Sequence, residues 1–258
     1  MTDDYRALVE LARRAAHAAG DIILDIYRSD FAVETKEDRT PVTLADQRAE
    51  ASIVAALAAA APGIPVIAEE EVAAKGGEPP PAPPRFWLVD PLDGTREFIN
   101  RNGEFTVNIA LVEGARTVLG VVLIPATGIT YAGCGPGTAT RQAGRETPVA
   151  ISARRRPATG AVVAHSRSHA DEGRIAEYVA TMPGATRKVM GSSAKFCLIA
   201  EGAADFYPRF GRTMEWDTGA GQAVLEAAGG RVLTLAGEPL AYAKPGYRNP
   251  DFIAEGKS

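Results

Sequence analysis

The chain is predicted to be an α/β protein, with an α+β N-terminal half and an α/β C-terminal half. Three features of the sequence carry that expectation. Two helical patterns come first, and a series of apolar, β-branched segments separated by turn residues follows them. Those segments succeed one another so closely that they predict a sheet of neighbouring strands. Beyond residue 160, strand-like and helix-like segments alternate, as in an α/β layer.

Leu8, Leu11, Ala15, Ala18, Ile22 and Ile26 recur at helical spacing and predict a helix over residues 3–28. The polar stretch RSDFAVETKEDRTPVT reads as a loop or a short strand pair. A second helix starts near Thr43, where Thr43 and Asp46 have the spacing of a capping pair ahead of AEASIVAALAAAA. Pro65 to Ala68 is a short buried strand leading into Glu69, Glu70 and Glu71. Gly and Pro exclude regular structure from AAKGGEPPPAPPR. Acids before it and after it can serve one site, so it reads as a surface loop inside a domain.

Strands are predicted at FWLVD, FTVNIALV, TVLGVVLI and GITYAG, with Pro91 expected to stop the first. Residues 135–160 are loop-rich and suggest a border between subdomains 1–150 and 151–258. Then follow a strand in GAVVAHS, a helix near 171–181, a strand in RKVMG and a helix from Ser192 to Glu201. ADFYPR, a helix over 217–228 and RVLTL complete the pattern.

At 258 residues the chain suits one large domain or two modest subdomains. A composition of 46% hydrophobic and 23% charged residues is that of an ordinary globular protein, and a net charge of −4 offers no field for nucleic acid. A small anionic ligand would need local cations or metals. The two cysteines, Cys134 and Cys197, lack zinc-type spacing and read as buried thiols of a reducing compartment. The start MTDDYRALVELARR is acidic and amphipathic, unlike a secretory signal. The longest apolar run, Ile53 to Ala68, is too short to span a bilayer. A cytoplasmic protein is expected, with peripheral contact to the cytoplasmic membrane face left open.

WLVDPLDGTREF is the informative stretch. Asp90 stands at the end of an apolar strand, where α/β proteins assemble ligand sites. Gly94 permits a tight turn, so Asp90, Asp93, the Leu92 carbonyl and the Thr95 hydroxyl can converge. Those are hard oxygen donors of the kind Mg²⁺ prefers. Two carboxylates held so close repel each other, and a divalent cation relieves that repulsion. On these residues alone a solvated acidic turn reads equally well. Glu69, Glu70 and Glu71 after one apolar segment, and Asp217 at a helix start, add acids that together could complete a two-metal phosphoryl-transfer site. Taken singly, Asp217 is an N-cap and the glutamates a solvated run.

WLVDPLDGTREF and WDTGAGQAVLEAAGG resemble the two signature motifs of the inositol monophosphatase superfamily of Mg²⁺-dependent, lithium-sensitive phosphomonoesterases. Within it, SRSHAD, GSSAKFCLIAEGAADFYPRFG and EWDT resemble the bacterial 3′(2′),5′-bisphosphate nucleotidase branch. The resemblance runs from the first helix to the last strand. It implies a layered α-β-α-β-α sandwich of the inositol monophosphatase and fructose bisphosphatase type. The implied reaction is hydrolysis of the 3′-phosphate of adenosine 3′,5′-bisphosphate to AMP and phosphate, with the 3′-phosphorylated sulfonucleotide as a related substrate of sulfur metabolism.

The same resemblance implies Glu69, Asp90 and the Leu92 carbonyl on one metal, with Asp90 bridging to a second held by Asp93 and Asp217. Glu70 replaces Glu69 if the register differs by one, and a third Mg²⁺ near Glu69 is a further expectation. Thr95, backed by Asp46, would orient or deprotonate the attacking water; Asp46 is equally the N3 residue of its helix. Gly94 and Thr95 offer backbone N–H groups to phosphate, as do Gly191, Ser192 and Ser193 at a helix start. Lys195 and Arg209 suit a second phosphate, where inositol-hydrolysing relatives carry an acid. His169 matches a nucleotide contact; His165 has no such support, and Arg154-Arg155-Arg156 reads as a solvated loop.

Gly219 replaces the usual alanine and is expected to loosen packing slightly. The expected partner is a small bisphosphorylated nucleotide, with monomer or homodimer open. An inositol or sugar monophosphatase is the near alternative. The DxDGT pattern of haloacid dehalogenases has one residue between its acids, whereas Pro91-Leu92 makes two. A nucleotide-sensing module without turnover is the non-enzymatic alternative.

Overall fold

The computed structural model describes residues 3–35, 41–76, 79–168 and 171–258. Helix α1 (Asp3–Tyr27) buries Leu8, Ala12, Ala15, Ala19 and Ile23 along one stripe. The segment after it forms the short antiparallel pair β1 (Val33–Thr35) and β2 (Pro41–Thr43). Helix α2 (Leu44–Ala60) opens with a capping box: the backbone N–H and hydroxyl of Thr43 both donate to Asp46 Oδ2, at 2.7 Å each.

Strand β3 (Val66–Ala68) runs directly into helix α3 (Glu69–Lys75). The AAK read as part of the proline-rich surface loop is therefore helical, and the acidic run Glu69–Glu71 forms the first turn of the same helix. Then come β4 (Arg85–Asp93), helix α4 (Thr95–Ile99), β5 (Thr106–Glu113), β6 (Arg116–Ile124) and β7 (Ile129–Gly133). β8 (Thr140–Ala143) and β9 (Val149–Ala150) follow. These strands form a seven-stranded sheet in chain order, β3 to β9, parallel between β3 and β4 and antiparallel elsewhere. Part of the loop-rich 135–160 region thus extends the first sheet to Ala150.

Pro91 does not end its strand. β4 continues to Asp93, and its register against β5 shifts between Asp90 and Asp93. The pairing of β4 with β3 ends at Val89, so the missing N–H of Pro91 interrupts no ladder on that side. The bulge bends the strand and re-aims its acids.

The second sheet contains β10 (Val162–Ser166), β11 (Thr186–Met190), β12 (Phe206–Arg209), β13 (Arg231–Thr234) and β14 (Phe252–Glu255). Its order is β11-β10-β12-β14-β13; β10 is parallel to both neighbours, and β14 is antiparallel to both of its own. The sequence reading did not find β14. Helix α5 (Glu172–Ala180) precedes β11, α6 (Ala194–Ala200) precedes β12 and α7 (Glu215–Ala227) precedes β13.

Five layers result. α1 and α2 cover one face of the first sheet around Ala16, Ile53, Trp87 and Val121. α6 and α7 lie between the sheets, burying Leu88, Val122, Phe196, Val224 and Phe252. α5 covers the outer face of the second sheet through Tyr178 and Val179 against Val163 and Phe206. Both faces of β4 and β5 are covered, which explains their continuous apolar sequences.

α7 approaches the first sheet closely. A Cβ at Gly120 would lie 2.3 Å from the Ala220 carbonyl oxygen. At Gly219 it would meet Leu88 at 3.1 Å and Ala110 at 3.2 Å. Gly219 thus sits where α7 packs closely on β4 and β5. The Arg154–Arg156 run is also no simple solvated loop. Arg154 grips the fully buried Asp205 with two bonds of 2.6 and 2.7 Å, and Arg156 pairs with Glu255 at 3.0 Å.

Candidate active site

Three elements deliver acids to one point. Glu69 is the first residue of α3, Asp90 lies on β4 just past its pairing with β3, and Asp217 sits in the first turn of α7. One carboxylate oxygen from each lies within 4.8 Å of the others. Glu70, the register alternative, is not in this group. The three open into a cavity of about 900 Å³ that Leu92, Asp93, Gly94 and Thr95 also line.

Backbone amides hold three of the acids that line the cavity. Asp217 Oδ2 accepts the Met214 N–H at 2.8 Å, so this acid caps its own helix from position N3. Asp90 Oδ1 accepts the Leu92 N–H at 3.0 Å across the bulge. Asp93 Oδ2 accepts the Ser193 N–H at 2.5 Å and a longer bond, 3.4 Å, from Asn108 Nδ2. Gly94, with φ of 93°, takes the left-handed turn that starts α4.

The electrostatics are those of a crowded anionic corner. Burial raises the Asp217 carboxyl to about 8, and Asp93 and Glu69 push in the same direction. Burial also raises Asp93 to about 6, against the pull of the Lys195 ammonium. Acids that hold their protons this far above the ordinary range lack compensating positive charge. A divalent cation supplies it, and carboxylates with the nearby Leu92 carbonyl are the oxygen set that Mg²⁺ takes. The residues present therefore fit a magnesium site.

Thr95 stands beside this corner. Its hydroxyl is 3.2 Å from Asp46 Oδ1 and 3.3 Å from the Leu92 carbonyl oxygen. Asp46 thus has both positions considered for it: it completes the α2 capping box and it faces Thr95.

The cationic side of the cavity is built differently. Lys195 is only 2% exposed; its ammonium donates to the carbonyl oxygens of Met190 (3.3 Å) and Ser192 and lies 4.9 Å over the Tyr207 ring. Burial lowers it to about 8, opposed by Asp93. Ser193 is equally enclosed: its hydroxyl donates to Asn108 Oδ1 at 2.6 Å and lies 3.0 Å from Thr106 Oγ1. Ser192 lines the cavity in a left-handed conformation, φ 50°. Arg209, the last residue of β12, lines it too, with one N–H on the Arg212 carbonyl at 2.9 Å. His169 lies outside the described residues. His165 is buried beside Arg187, at 3.3 Å.

Several residues escaped the sequence reading. Asn108 orients both Asp93 and Ser193; its signal was a lone amide inside the apolar FTVNIALV. Glu104 accepts the Gly191 N–H at 2.7 Å and both Arg167 bonds, at 2.7 and 3.0 Å, tying the two sheets together beside the cavity. Glu50 accepts the backbone N–H groups of Glu70 and Glu71. Burial raises it to about 7, with Glu69 and Glu71 adding to the effect.

Residues 4–255 match the inositol monophosphatase family. The chain is 43% identical over 240 residues to the 3′(2′),5′-bisphosphate nucleotidase CysQ of Shigella flexneri, covering 92% of this chain and 95% of the relative. Identity to the protein of the same name from Escherichia coli K12 is 42%, with the same coverage. Among solved structures, CysQ from Bacteroides thetaiotaomicron, a bacterial member of the inositol monophosphatase family, superposes with a TM-score of 0.81 at 37% identity, covering 98% of both chains. An inositol monophosphatase from Zymomonas mobilis gives 0.79 at 27% identity, covering 99% of this chain and 95% of that one. With both signature stretches meeting at one acidic corner inside this layered fold, the chain belongs to the inositol monophosphatase family.

Proposed function

We propose that this chain is a Mg²⁺-dependent 3′(2′),5′-bisphosphate nucleotidase. It hydrolyses the 3′-phosphate of adenosine 3′,5′-bisphosphate to give AMP and inorganic phosphate, and takes the 3′-phosphorylated sulfonucleotide as a related substrate. One observation carries the reading: Glu69, Asp90 and Asp217, from three separate elements, converge within 4.8 Å on a cavity that Arg209 also lines. Identity of 42–43% to the CysQ nucleotidases supports the choice of substrate.

In this reading Glu69, Asp90, Asp93, Asp217 and the Leu92 carbonyl would hold Mg²⁺, which would supply Lewis acidity and charge neutralisation to water and to the phosphoryl oxygens. Thr95 orients the attacking water. A hydroxyl that donates to Asp46 keeps its oxygen lone pairs for the proton of that water, and Asp46 takes the hydroxyl proton as Thr95 accepts the new one. Backbone N–H groups of Gly94 and Thr95 face the phosphate. Water adds in line to phosphorus, the bond to the ribose 3′ oxygen breaks with its electron pair going to that oxygen, and the oxygen takes a proton from solvent water.

Arg209 provides the fork for the second phosphate, and Lys195 adds positive field from behind the Ser192 carbonyl. Residues 1–150 and 151–258 act as two subdomains that both contribute to the cavity lining. No described helix is long and apolar enough to cross a membrane.

Phosphate release from adenosine 3′,5′-bisphosphate, inositol 1-phosphate and fructose 1,6-bisphosphate, measured side by side with and without Mg²⁺, tests the reading. The nucleotide is expected to be the best substrate and turnover to require the metal. Preference for inositol 1-phosphate would reassign the substrate, and nucleotide binding without any turnover would overturn the enzymatic reading.

A further inference from the structure

Helix α3 begins badly by its own sequence. Its N-cap is Ala68, which has no side-chain acceptor, and its first turn carries three consecutive glutamates. A helix start leaves its first N–H groups without intrahelical partners, and Ser, Thr, Asp or Asn at the cap ordinarily satisfies one of them. Here the acceptor comes from another helix. Glu50 of α2 accepts the Glu70 N–H on Oε2 and the Glu71 N–H on Oε1, at 2.7 Å each. Both oxygens of a carboxylate only 8% exposed are thus committed to one turn of backbone.

That turn carries Glu69. On its N-terminal side, Ala68 pairs with Val89 in the parallel β3–β4 ladder. On its C-terminal side, the next two amides are gripped by Glu50. The backbone of Glu69 is therefore clamped from both directions, and its carboxylate reaches Asp90 and Asp217. Glu50 also lies four residues after Asp46 on α2, so the two share a buried helix face. Asp46 supports Thr95 from that face, and Glu50 supports the Glu69 turn.

A plain stabilising cap would not be built this way. A neutral serine at position 68 would satisfy an amide without adding a charge, whereas Glu50 adds another carboxylate beside Glu69 and Glu71. What one bidentate carboxylate with two bonds provides, and a single hydroxyl does not, is a fixed orientation of the whole turn.

We infer that Glu50 is a positioning residue for magnesium: by clamping the Glu70 and Glu71 amides it holds Glu69 in ligating geometry. This rests on the reading of Glu69 as a metal ligand. Loss of an outer partner that orients a ligand typically weakens metal binding by about 10–100-fold.

The test is equilibrium Mg²⁺ binding to the substrate-free protein by calorimetry, for Glu50→Ala, Glu50→Gln, Glu69→Ala and the double variant Glu50→Ala, Glu69→Ala. Hydrogen exchange at the Glu70 and Glu71 amides and the melting temperature are followed alongside. Glu50→Ala should raise the Mg²⁺ dissociation constant about 10–100-fold, with faster exchange at those two amides. Glu50→Gln keeps the volume but only one acceptor and should fall between Glu50→Ala and the unaltered protein. Because Glu50 acts through Glu69, the double variant should bind Mg²⁺ no more weakly than Glu69→Ala alone.

Unchanged Mg²⁺ affinity in both Glu50 variants, with only the melting temperature lowered, overturns the inference and leaves the site reading intact. Additive losses in the double variant overturn it too. If Glu69→Ala itself leaves Mg²⁺ binding unaltered, the site reading falls first and the inference with it.

Discussion

Where Glu69, Asp90 and Asp217 meet, three carboxylates stand within 4.8 Å of one another, and burial with mutual repulsion raises Asp217 to about 8. Around Lys195, the ammonium already rests on the Met190 and Ser192 carbonyls and the Tyr207 ring, and Ser193 is bonded to Asp93 and Asn108. One side of the cavity is electrostatically incomplete without a cation; the other is satisfied by the protein before any ligand arrives. An incomplete corner is where an ion binds, and a satisfied one is a rigid frame. In the proposed reading, direct recognition of a second phosphate therefore falls to Arg209 more than to Lys195.

The largest expected effect lies at the incomplete corner. Thr95→Ala should lower kcat by about 10²–10⁴-fold, the usual range for loss of a proton-transferring group, and leave KM within a few-fold. Steady-state kinetics at saturating Mg²⁺ check this, and a change confined to KM would move Thr95 from chemistry to binding.

A smaller effect separates the two cations. Arg209→Ala should raise KM for adenosine 3′,5′-bisphosphate about 10–100-fold, as expected for a lost charge-assisted fork, with inositol 1-phosphate hydrolysis nearly unaffected. Lys195→Ala should instead lower kcat/KM for both substrates by a similar factor, because Lys195 holds the Met190–Ser192 turn. Equal substrate discrimination by the two variants would erase the distinction drawn between them.

The smallest effect is thermal. Asp217 keeps its proton in the metal-free fold up to about 8, whereas the unfolded chain loses it near 4. The native state binds more protons across that interval, so metal-free stability falls as pH rises through it. Mg²⁺ displaces the proton, so its stabilisation should grow over the same window. The Mg²⁺-induced rise in Tm is expected to be on the order of 2–4 °C larger at pH 8 than at pH 6. An equal rise at both would mean that Asp217 is ionised without metal.

The anionic corner was the more legible of the two in sequence. Asp90 and Asp93 announce themselves at the end of an apolar segment, and Asp217 in the first turn of a helix, which begins two residues before it. Periodicity predicted neighbouring strands, and contiguous strands do pair in the first sheet, whereas the five-layer order was implied by the family resemblance. What escaped depended on partners distant in the chain. Pro91 reads as a stop unless β3 is known to end its pairing at Val89. α3 has no cap of its own, so its start is invisible without Glu50. β14 is four residues long and gains its place only by pairing with β12 and β13. Lys195 and Ser193 look like ligand contacts locally, and only the fold reveals the carbonyls, Asn108 and Asp93 that already hold them.

Anomalous diffraction from crystals soaked in Mn²⁺, at a concentration that supports turnover, tests most directly whether the acids form a cation site. Peaks are expected within about 2.0–2.4 Å of carboxylate oxygens of Glu69, Asp90 and Asp217, with one also contacting Asp93. Full occupancy elsewhere in the cavity, with no peak against these carboxylates, would contradict it.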